Sequence, residues 1–446
     1  MKIKFNKGLD LKIAGAVASD VIVEVPVSQC AITLDDFPGF VPKVAAKAGT
    51  AVQPGSPLLY DKNNPVVKIV SPIAGVVKDV VRGDRRKILY IEVEAKESDA
   101  EDPVITPVKD ADSARRFLAE SGMLALMRRR PFDIVPDPDE PVRDIFVTGF
   151  DSAPLADSVK VLNTLFKPED YEAGIEVLNK ITSGKVYVSV RKDHTFGPLK
   201  GAQTVVVEGA NPAGMVSFQI AAIAPINKGD VVWTLDIATL GRIGKLVRTG
   251  TFEMRTVVAI TGPEVKKTSR GRVLTKIGAP VDVLLKNRLV PKEHNRRIIS
   301  GNVLTGVAVG MDQYLRFPYR QICVIAEGDD VDEFMGWASM STSKMSTSRS
   351  FPGHFLKRLF RPDARLNGGR RAMIMSGEYD SVMPIDILPE YLIKAIIAKD
   401  IDQMEKLGIY EIAPEDFALA EYVDTSKLPL QQSVRDGIDY LRKELE

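Results

Sequence analysis

GTAVQPGSPLLYDKNNPVVKIVSPIAGVVKDVVRG, residues 49–83, decides how the first part of the chain folds. Its first half sets Gly49, Val52, Gly55 and Leu58 in the order GxxVxxGxxL. Its second half spaces Pro72, Gly75, Val77, Val80 and Gly83 in a similar way. Each half is a set of short β-branched runs broken by glycine and proline, with turns at Pro54-Gly55 and at Asn63-Asn64-Pro65. Such writing predicts short strands and a hairpin, whose tip lies between Tyr60 and Ser71.

The two similar halves resemble biotinyl and lipoyl carrier domains, small flattened barrels whose central hairpin carries a lysine for the prosthetic group. The lysine is missing here. Eight residues before Pro72, where that pattern places it, stands Asn64. An amide is not acylated as an amine is, so residues 1–100 read as a barrel-sandwich domain without a carried group. Function has to be sought further along.

Working outward, 446 residues predict about three domains. Apolar residues make up 45 % and charged ones 27 %, the balance of an ordinary globular protein. With 60 basic and 59 acidic residues the chain has no global positive field for nucleic acid or an anionic membrane, although local patches are still open to it. The apolar run Ile13–Ala18 is too short for a signal-peptide core. The stretch Gly214–Ile226 falls short of the roughly 20 residues that span a bilayer. A cytoplasmic chain, docked on a membrane protein if on a membrane at all, is expected. Two cysteines, Cys30 and Cys323, are too few for an iron–sulfur cluster of its own. Both lie in apolar strand-like runs and read as buried structural thiols.

After an acidic, proline-bearing linker at 97–110, a helix is expected from about Ser113, interrupted by Gly122 and stopped by Pro131, with Arg128-Arg129-Arg130 as its last turn. That basic triplet reads as a solvated helix end or as a phosphate or partner site. From Asp144 strands and helices alternate: Ile145–Val147, a helix Leu155–Phe166, a helix Tyr171–Thr182 ended by Gly184, Val186–Val190, and Val205–Val207. This layout predicts a Rossmann-like, mostly parallel α/β region over 101–254. The dinucleotide fingerprint GxGxxG is absent; GANPAGM (209–215) reads as a tight strand-to-helix turn. Gly244-Lys245 is no phosphate loop, with Thr239 and Leu246 in the flanking places. Residues 255–330 return to β-rich sequence with a short helix at 278–285 and a turn in ISGNVLTG (299–306). Residues 339–351 read as a surface loop. A helical C-terminus completes 331–446, with an amphipathic helix over Ile387–Lys406 and a stripe at Val434, Ile438, Leu441 and Leu445. His194, His294 and His354 have no partner at metal-ligand spacing, and neither HExxH nor GxSxG occurs. No catalytic or metal constellation is expected.

Seven motifs in order resemble one family over nearly the whole chain: the A subunit of the sodium-translocating NADH:quinone reductases. They are KGLDLKIAGA (7–16), SPIAGVV (71–77), RRRPFDIVP (128–136), FVTGFDSAPLAD (146–157), GANPAGM, ISGNVLTG and VMPIDILPEYLIKAI (382–396). The resemblance implies an α+β multidomain chain: the lysine-less barrel, the Rossmann-like region, a β-grasp, soluble-ligand-binding-like domain over 255–330, and the C-terminal helices. It implies a subunit that is not catalytic alone, peripheral on the cytoplasmic face of the bacterial inner membrane through the other five subunits. The complex couples NADH oxidation and ubiquinone reduction to Na+ export. NADH, flavins and iron centres belong to the other subunits, and ubiquinone is the possible ligand here. The related flavin subunit of respiratory complex I holds FMN with a GRGGAGFP-type loop, and the Rnf relative carries CxxCxxCxxxCP repeats; this chain has neither. It also departs from the pattern of the family it resembles, with Ala420 and Asp424 where many members have two cysteines.

Three functions remain: a quinone-associated subunit, a carrier-domain enzyme that Asn64 speaks against, and an assembly scaffold with no ligand of its own. Quinone headgroups are flat rings with two acceptors and favour apolar walls with a few donors. Two loops offer aromatic, turn-rich walls: Phe37-Pro38-Gly39-Phe40 and Arg130-Pro131-Phe132-Asp133. Phe37, Phe40, Arg130 and Phe132 are the candidate quinone-binding residues, with ordinary packing at a domain junction as the alternative.

Overall fold

A computed structural model describes residues 1–291, 294–329, 341–347 and 351–445. Its centre is a six-stranded sheet in the order Lys2–Lys4, Gln203–Glu208, Val186–Val190, Asp144–Thr148, Val232–Asp236, Arg128–Arg130. Every pairing is parallel except the last, in which Arg129 faces Trp233 on an antiparallel neighbour. Alternation along the strands builds two faces. Ile145, Val147, Val186, Val188, Trp233 and Leu235 join one core with the helices Pro168–Ile181 and Ile237–Thr249. Phe146 and Val232 join another, with the helix Val216–Ile223 and the C-terminal helices. The sheet is therefore a middle layer, with helices on both sides.

The two helices of the first face lie unusually close. A Cβ on Gly244 would stand 1.6 Å from the Asp170 carbonyl oxygen, so only glycine permits that approach. Asp236 caps the second helix by accepting from Thr239 N at 2.8 Å, and Gly250 ends it at φ 72°. That helix, with its two small residues Gly241 and Gly244, was not anticipated from the sequence.

A second six-stranded sheet runs Val307–Val309, Arg296–Ser300, Gln321–Ala326, Arg255–Thr261, Gly271–Lys276, Ile22–Glu24. Two small sheets complete the β structure, one of Gln29–Thr33, Ile88–Ala95, Gly75–Arg82 and Ala51–Val52, the other of Pro42–Val44, Pro57–Asp61 and Lys68–Val70. These hold the barrel-sandwich, closed over Leu58, Leu59, Val77, Ile91 and Val93. The stretch before Gln29 lies outside it: Lys2–Lys4 extends the central sheet and Ile22–Glu24 the second one. A unit drawn at 1–100 thus contains strands of several sheets.

Several local expectations are corrected. The helix after the linker is Ala111–Glu120, capped by Asp110, and Arg128–Arg130 is a strand rather than a helix end. Cross-strand pairing with Val232–Thr234 takes those backbone groups, so no helix dipole acts there. Between Leu155 and Phe166 only Val159–Thr164 coils, as a 3-10 turn. Gly184 is not a left-handed cap; a Cβ there would meet Arg143 O at 2.3 Å. Ile387–Lys406 is two helices, Pro389–Ala398 and Ile401–Lys406, broken at Lys399 with φ 54°. Of the C-terminal stripe, Val434, Ile438 and Leu441 are buried and Leu445 is exposed. The expected loop at 339–351 lies partly outside the described residues, and 341–347 forms turns. Cys30 and Cys323 are buried, and burial pushes both thiols up to about 12.

Candidate functional site

In the central sheet the first strand after the linker helix to run parallel, Asp144–Thr148, is flanked by the next one, Val186–Val190, and by the last, Val232–Asp236. The carboxyl ends of Asp144–Thr148 and Val232–Asp236 lie side by side, with Thr148 opposite Asp236. A cavity of about 500 Å³ lies there. Thr148 and Thr234–Asp236 form its sheet wall, Asp36 and Pro38 its barrel wall, Arg316–Gln321 its second-sheet wall, and Pro414 and Glu415 its C-terminal wall. Every module of the chain contributes to it.

The two loops singled out in the sequence meet beside this cavity. Val135 N donates to Pro38 O at 2.8 Å, and a Cβ on Gly39 would stand 2.7 Å from Ile134 Cβ. Of the four candidate residues only Arg130 lines the cavity. Phe37 is buried and stacks on Phe317 at 5.8 Å with the rings nearly parallel; Phe317 is the wall residue. Phe40 is buried in the barrel-side core. Phe132 points into the opposite core, edge-on to Tyr410 at 6.4 Å, with the Arg129 guanidinium 5.0 Å from its ring.

The turn that sets Arg130 is strained. Phe132 and Asp133 adopt φ 85° and 53°, a region that costs a bulky residue on the order of 1–3 kcal/mol. Arg435 holds it, donating to Phe132 O at 2.7 Å and Asp133 O at 3.4 Å. Arg130 itself is 3 % exposed. Its Nη2 donates to Glu415 Oε1 at 3.3 Å and its Nε is 3.5 Å from Asp133 Oδ1. Burial pushes Asp133 up, but Arg130, Arg128 and Arg435 outweigh it and hold the carboxyl below its usual range. Asp416, 1 % exposed, is pushed up to about 6 by burial, against the pull of Arg130. Glu415 also moves upward, from lost solvation first; with 45 % of its side chain open, water moderates the effect.

Across the cavity Asp36 accepts from Arg316 Nε at 2.7 Å and from Phe317 N at 2.9 Å, while its carbonyl accepts from Arg128 Nη2 at 2.6 Å. Burial still pushes its carboxyl up to about 6. Three lining residues keep nitrogen donors with no hydrogen-bond partner among the described residues: Arg130 Nε and Nη1, Arg320 Nη1 and Asn211 Nδ2. Arg320 Nη1 does face a carboxylate, but Asp236 Oδ2 stands 3.7 Å away. A buried donor left unmade costs about 1–3 kcal/mol, so residues beside the cavity hold spare donor capacity. Asn211 belongs to the GANPAGM turn, which is a strand-to-helix connection as expected. Arg316 and Arg320 were missed; single arginines in β-rich sequence give no signal until the fold brings them together. Among the described residues no group of three or more potential metal ligands occurs.

At the barrel tip, Asn64 Nδ2 donates to Asp137 Oδ1 at 3.2 Å and Asp139 Oδ2 at 3.3 Å. The place of a carrier's swinging lysine is tied to a neighbouring loop.

The chain matches three family models: the NqrA N-terminal barrel-sandwich hybrid domain over 3–96, the NqrA second alpha/beta domain over 109–252 and the NQRA C-terminal domain over 257–310. It is 35 % identical over 453 residues to the A subunit of the Na(+)-translocating NADH-quinone reductase of Vibrio anguillarum, covering 99 % of this chain and 100 % of that one. The same protein of Serratia proteamaculans (strain 568) is 35 % identical over the same shares. The crystal structure of an NAD+-reducing [NiFe]-hydrogenase in the H2-reduced state is similar over 68 % of this chain and 55 % of that one, at TM-score 0.36 and 13 % identity, too distant to bear on fold or function. Among the described residues no helix is long and apolar enough to cross a membrane. With barrel, sheet and cavity in one chain and relatives matched end to end, the protein belongs to the NqrA family, the A subunits of the Na(+)-translocating NADH-quinone reductases.

Proposed function

We propose that the chain is the peripheral, non-catalytic NqrA component of a Na+-translocating NADH:ubiquinone reductase and sits at its quinone-reducing end. It is held on the cytoplasmic face of the inner membrane by the other five subunits, in a complex that exports Na+. The central sheet acts as a Rossmann-like frame without a dinucleotide, and the second sheet as a β-grasp-like ligand-binding module. One observation carries the quinone reading. The cavity pairs apolar walls, Phe317, Phe150 and Pro38, with donors that lack hydrogen-bond acceptors, on Arg130, Arg320 and Asn211. A quinone headgroup supplies a flat ring and two carbonyl acceptors, which matches that deficit.

Phe37, Phe40 and Phe132 then act by fixing the two loops, and Arg130 as a donor to the ring. In the assembled complex, Phe132→Ala is expected to lower quinone-dependent activity several-fold and to leave NADH oxidation by artificial acceptors intact, an aromatic contact being worth about 0.5–1.5 kcal/mol. Unchanged quinone kinetics in Phe37→Ala, Phe40→Ala and Phe132→Ala, with the complex assembled, would remove both loops from the site. The isolated chain is expected to bind no flavin, iron or covalent group; a visible absorption band or an intact mass above that of the sequence overturns this part.

A further inference from the structure

The segment 351–375 is unlike the rest of the molecule. It holds six basic residues, Lys357, Arg358, Arg361, Arg365, Arg370 and Arg371, against one acidic residue, Asp363, in a chain that is otherwise near charge balance. Interleaved with them are side chains that a core would normally claim: Phe355 is 71 % exposed, Leu359 64 %, Leu366 56 % and Ile374 57 %. Apart from the short turn Pro352–Phe355 it has no helix or strand. Its backbone is nevertheless fastened. Phe360 N donates to Lys12 O at 2.7 Å, Ala364 N to Ala326 O at 3.0 Å and Arg371 N to Ser426 O at 2.9 Å. The exposed apolar residues fall before, between and after these fastenings, so the strap is held with these side chains outward while Phe360 is buried.

The strap also borders a depression of about 1090 Å³. Leu9, Leu11, Ile13, Ile299 and Ile325 give it an apolar floor, and Arg361, Arg365, Arg370, Arg371 and Lys427 give it a basic rim. Its carboxylates are partly taken: Asp363 pairs with Arg365 at 2.7 Å, and Glu421 accepts from Gln431 N at 2.9 Å. Glu378 is the acidic exception. Arg370 and Arg371 have no ion-pair partner among the described residues, and both are exposed.

We propose that this strap and its depression are a contact surface for anionic phospholipid headgroups. Here single apolar side chains alternate with basic ones along one strap, as a lipid boundary takes them: the apolar groups enter the acyl edge while arginine and lysine reach phosphates. The contact adds to attachment through partner subunits and does not rest on the quinone reading.

The test is flotation of the purified full chain with vesicles of phosphatidylcholine alone and of phosphatidylcholine with an equal part of phosphatidylglycerol. Binding is expected only to the anionic vesicles and is lost at high sodium chloride. Arg370→Gln with Arg371→Gln should weaken it roughly tenfold or more, each basic group near such a surface counting for about 1 kcal/mol. Phe355→Ser with Leu359→Ser should weaken it too. Lys47→Gln with Lys62→Gln, an equal charge loss on the exposed barrel surface, should leave it unchanged. Binding to neither vesicle, equal binding to both, or equal loss in the arginine and lysine pairs overturns the proposal. So does failure on vesicles combined with loss of partner-subunit copurification in the strap variants, which would make the strap a protein interface.

Discussion

The barrel tip at Asn64 and the edge strand of the central sheet at Arg130 are built in opposite ways. At the tip, one neutral amide meets two exposed carboxylates and every partner is close to water. At the edge strand a buried arginine is surrounded by Asp133, Glu415 and Asp416, its loop is strained, and several donors have no hydrogen-bond partner among the described residues. The tip is finished as structure. The edge strand and the cavity beside it carry donors with no hydrogen-bond partner among the described residues, and that is where a ligand gains most from binding.

The largest expected effect tests that contrast directly. Arg130→Leu leaves Asp133 and Asp416 without their main counter-charge, which for a buried pair costs about 3–5 kcal/mol. Urea unfolding should show it as a marked fall in midpoint. A loss under about 1 kcal/mol would mean that the network is more hydrated than its burial implies, and the contrast would fail.

A smaller effect follows from pH. Asp36 and Asp416 have folded values near 6 against 3.8 for the ordinary group. Between those values the folded state binds more protons than the unfolded chain, so stability from these groups falls as pH rises through that window and stays lower above it. Glu253 works the other way: held to about 2 by Arg255 and Lys245 against its burial, it stabilises above about 4.5 and loses this as pH falls toward 2. Unfolding midpoints should therefore rise from pH 7 to pH 5, on the order of 1 kcal/mol, and Asp416→Asn should flatten the rise. A midpoint that falls over that range would place the raised carboxyls elsewhere.

Much of this was legible in the sequence, and the limits have physical causes. The barrel could be read because strand turns are written locally in glycine and proline. The missing carrier lysine was visible because the hairpin spacing is fixed. The strand at Ile145–Val147 was legible in its short apolar β-rich run. The helix Ile237–Thr249 was hidden because its glycines, which normally weaken a helix, serve close packing, Gly244 against Asp170 and Gly174 and Gly241 against Phe166. Arg128–Arg130 looked like a helix end because its strand character comes from a partner about a hundred residues away. The two aromatic loops were found, and they do meet, but their rings pack inward while Arg316, Phe317, Arg320 and Asn211 face the cavity. Which side chain faces an internal space depends on contacts across four modules, and no local pattern records that.

The smallest expected effect lies at the tip. Asn64→Ala removes two exposed hydrogen bonds to carboxylates and should cost less than about 1 kcal/mol. A larger loss would make the tip a structural keystone and weaken the comparison from the other side.

If the cavity, and not the barrel tip, receives the quinone ring, titration of the purified full chain with a short-chain ubiquinone shows it most directly. Saturable binding is predicted, weakened several-fold by Phe317→Ala and by Arg320→Gln and unaltered by Asn64→Ala. No binding, or equal affinity in all four proteins, would contradict it.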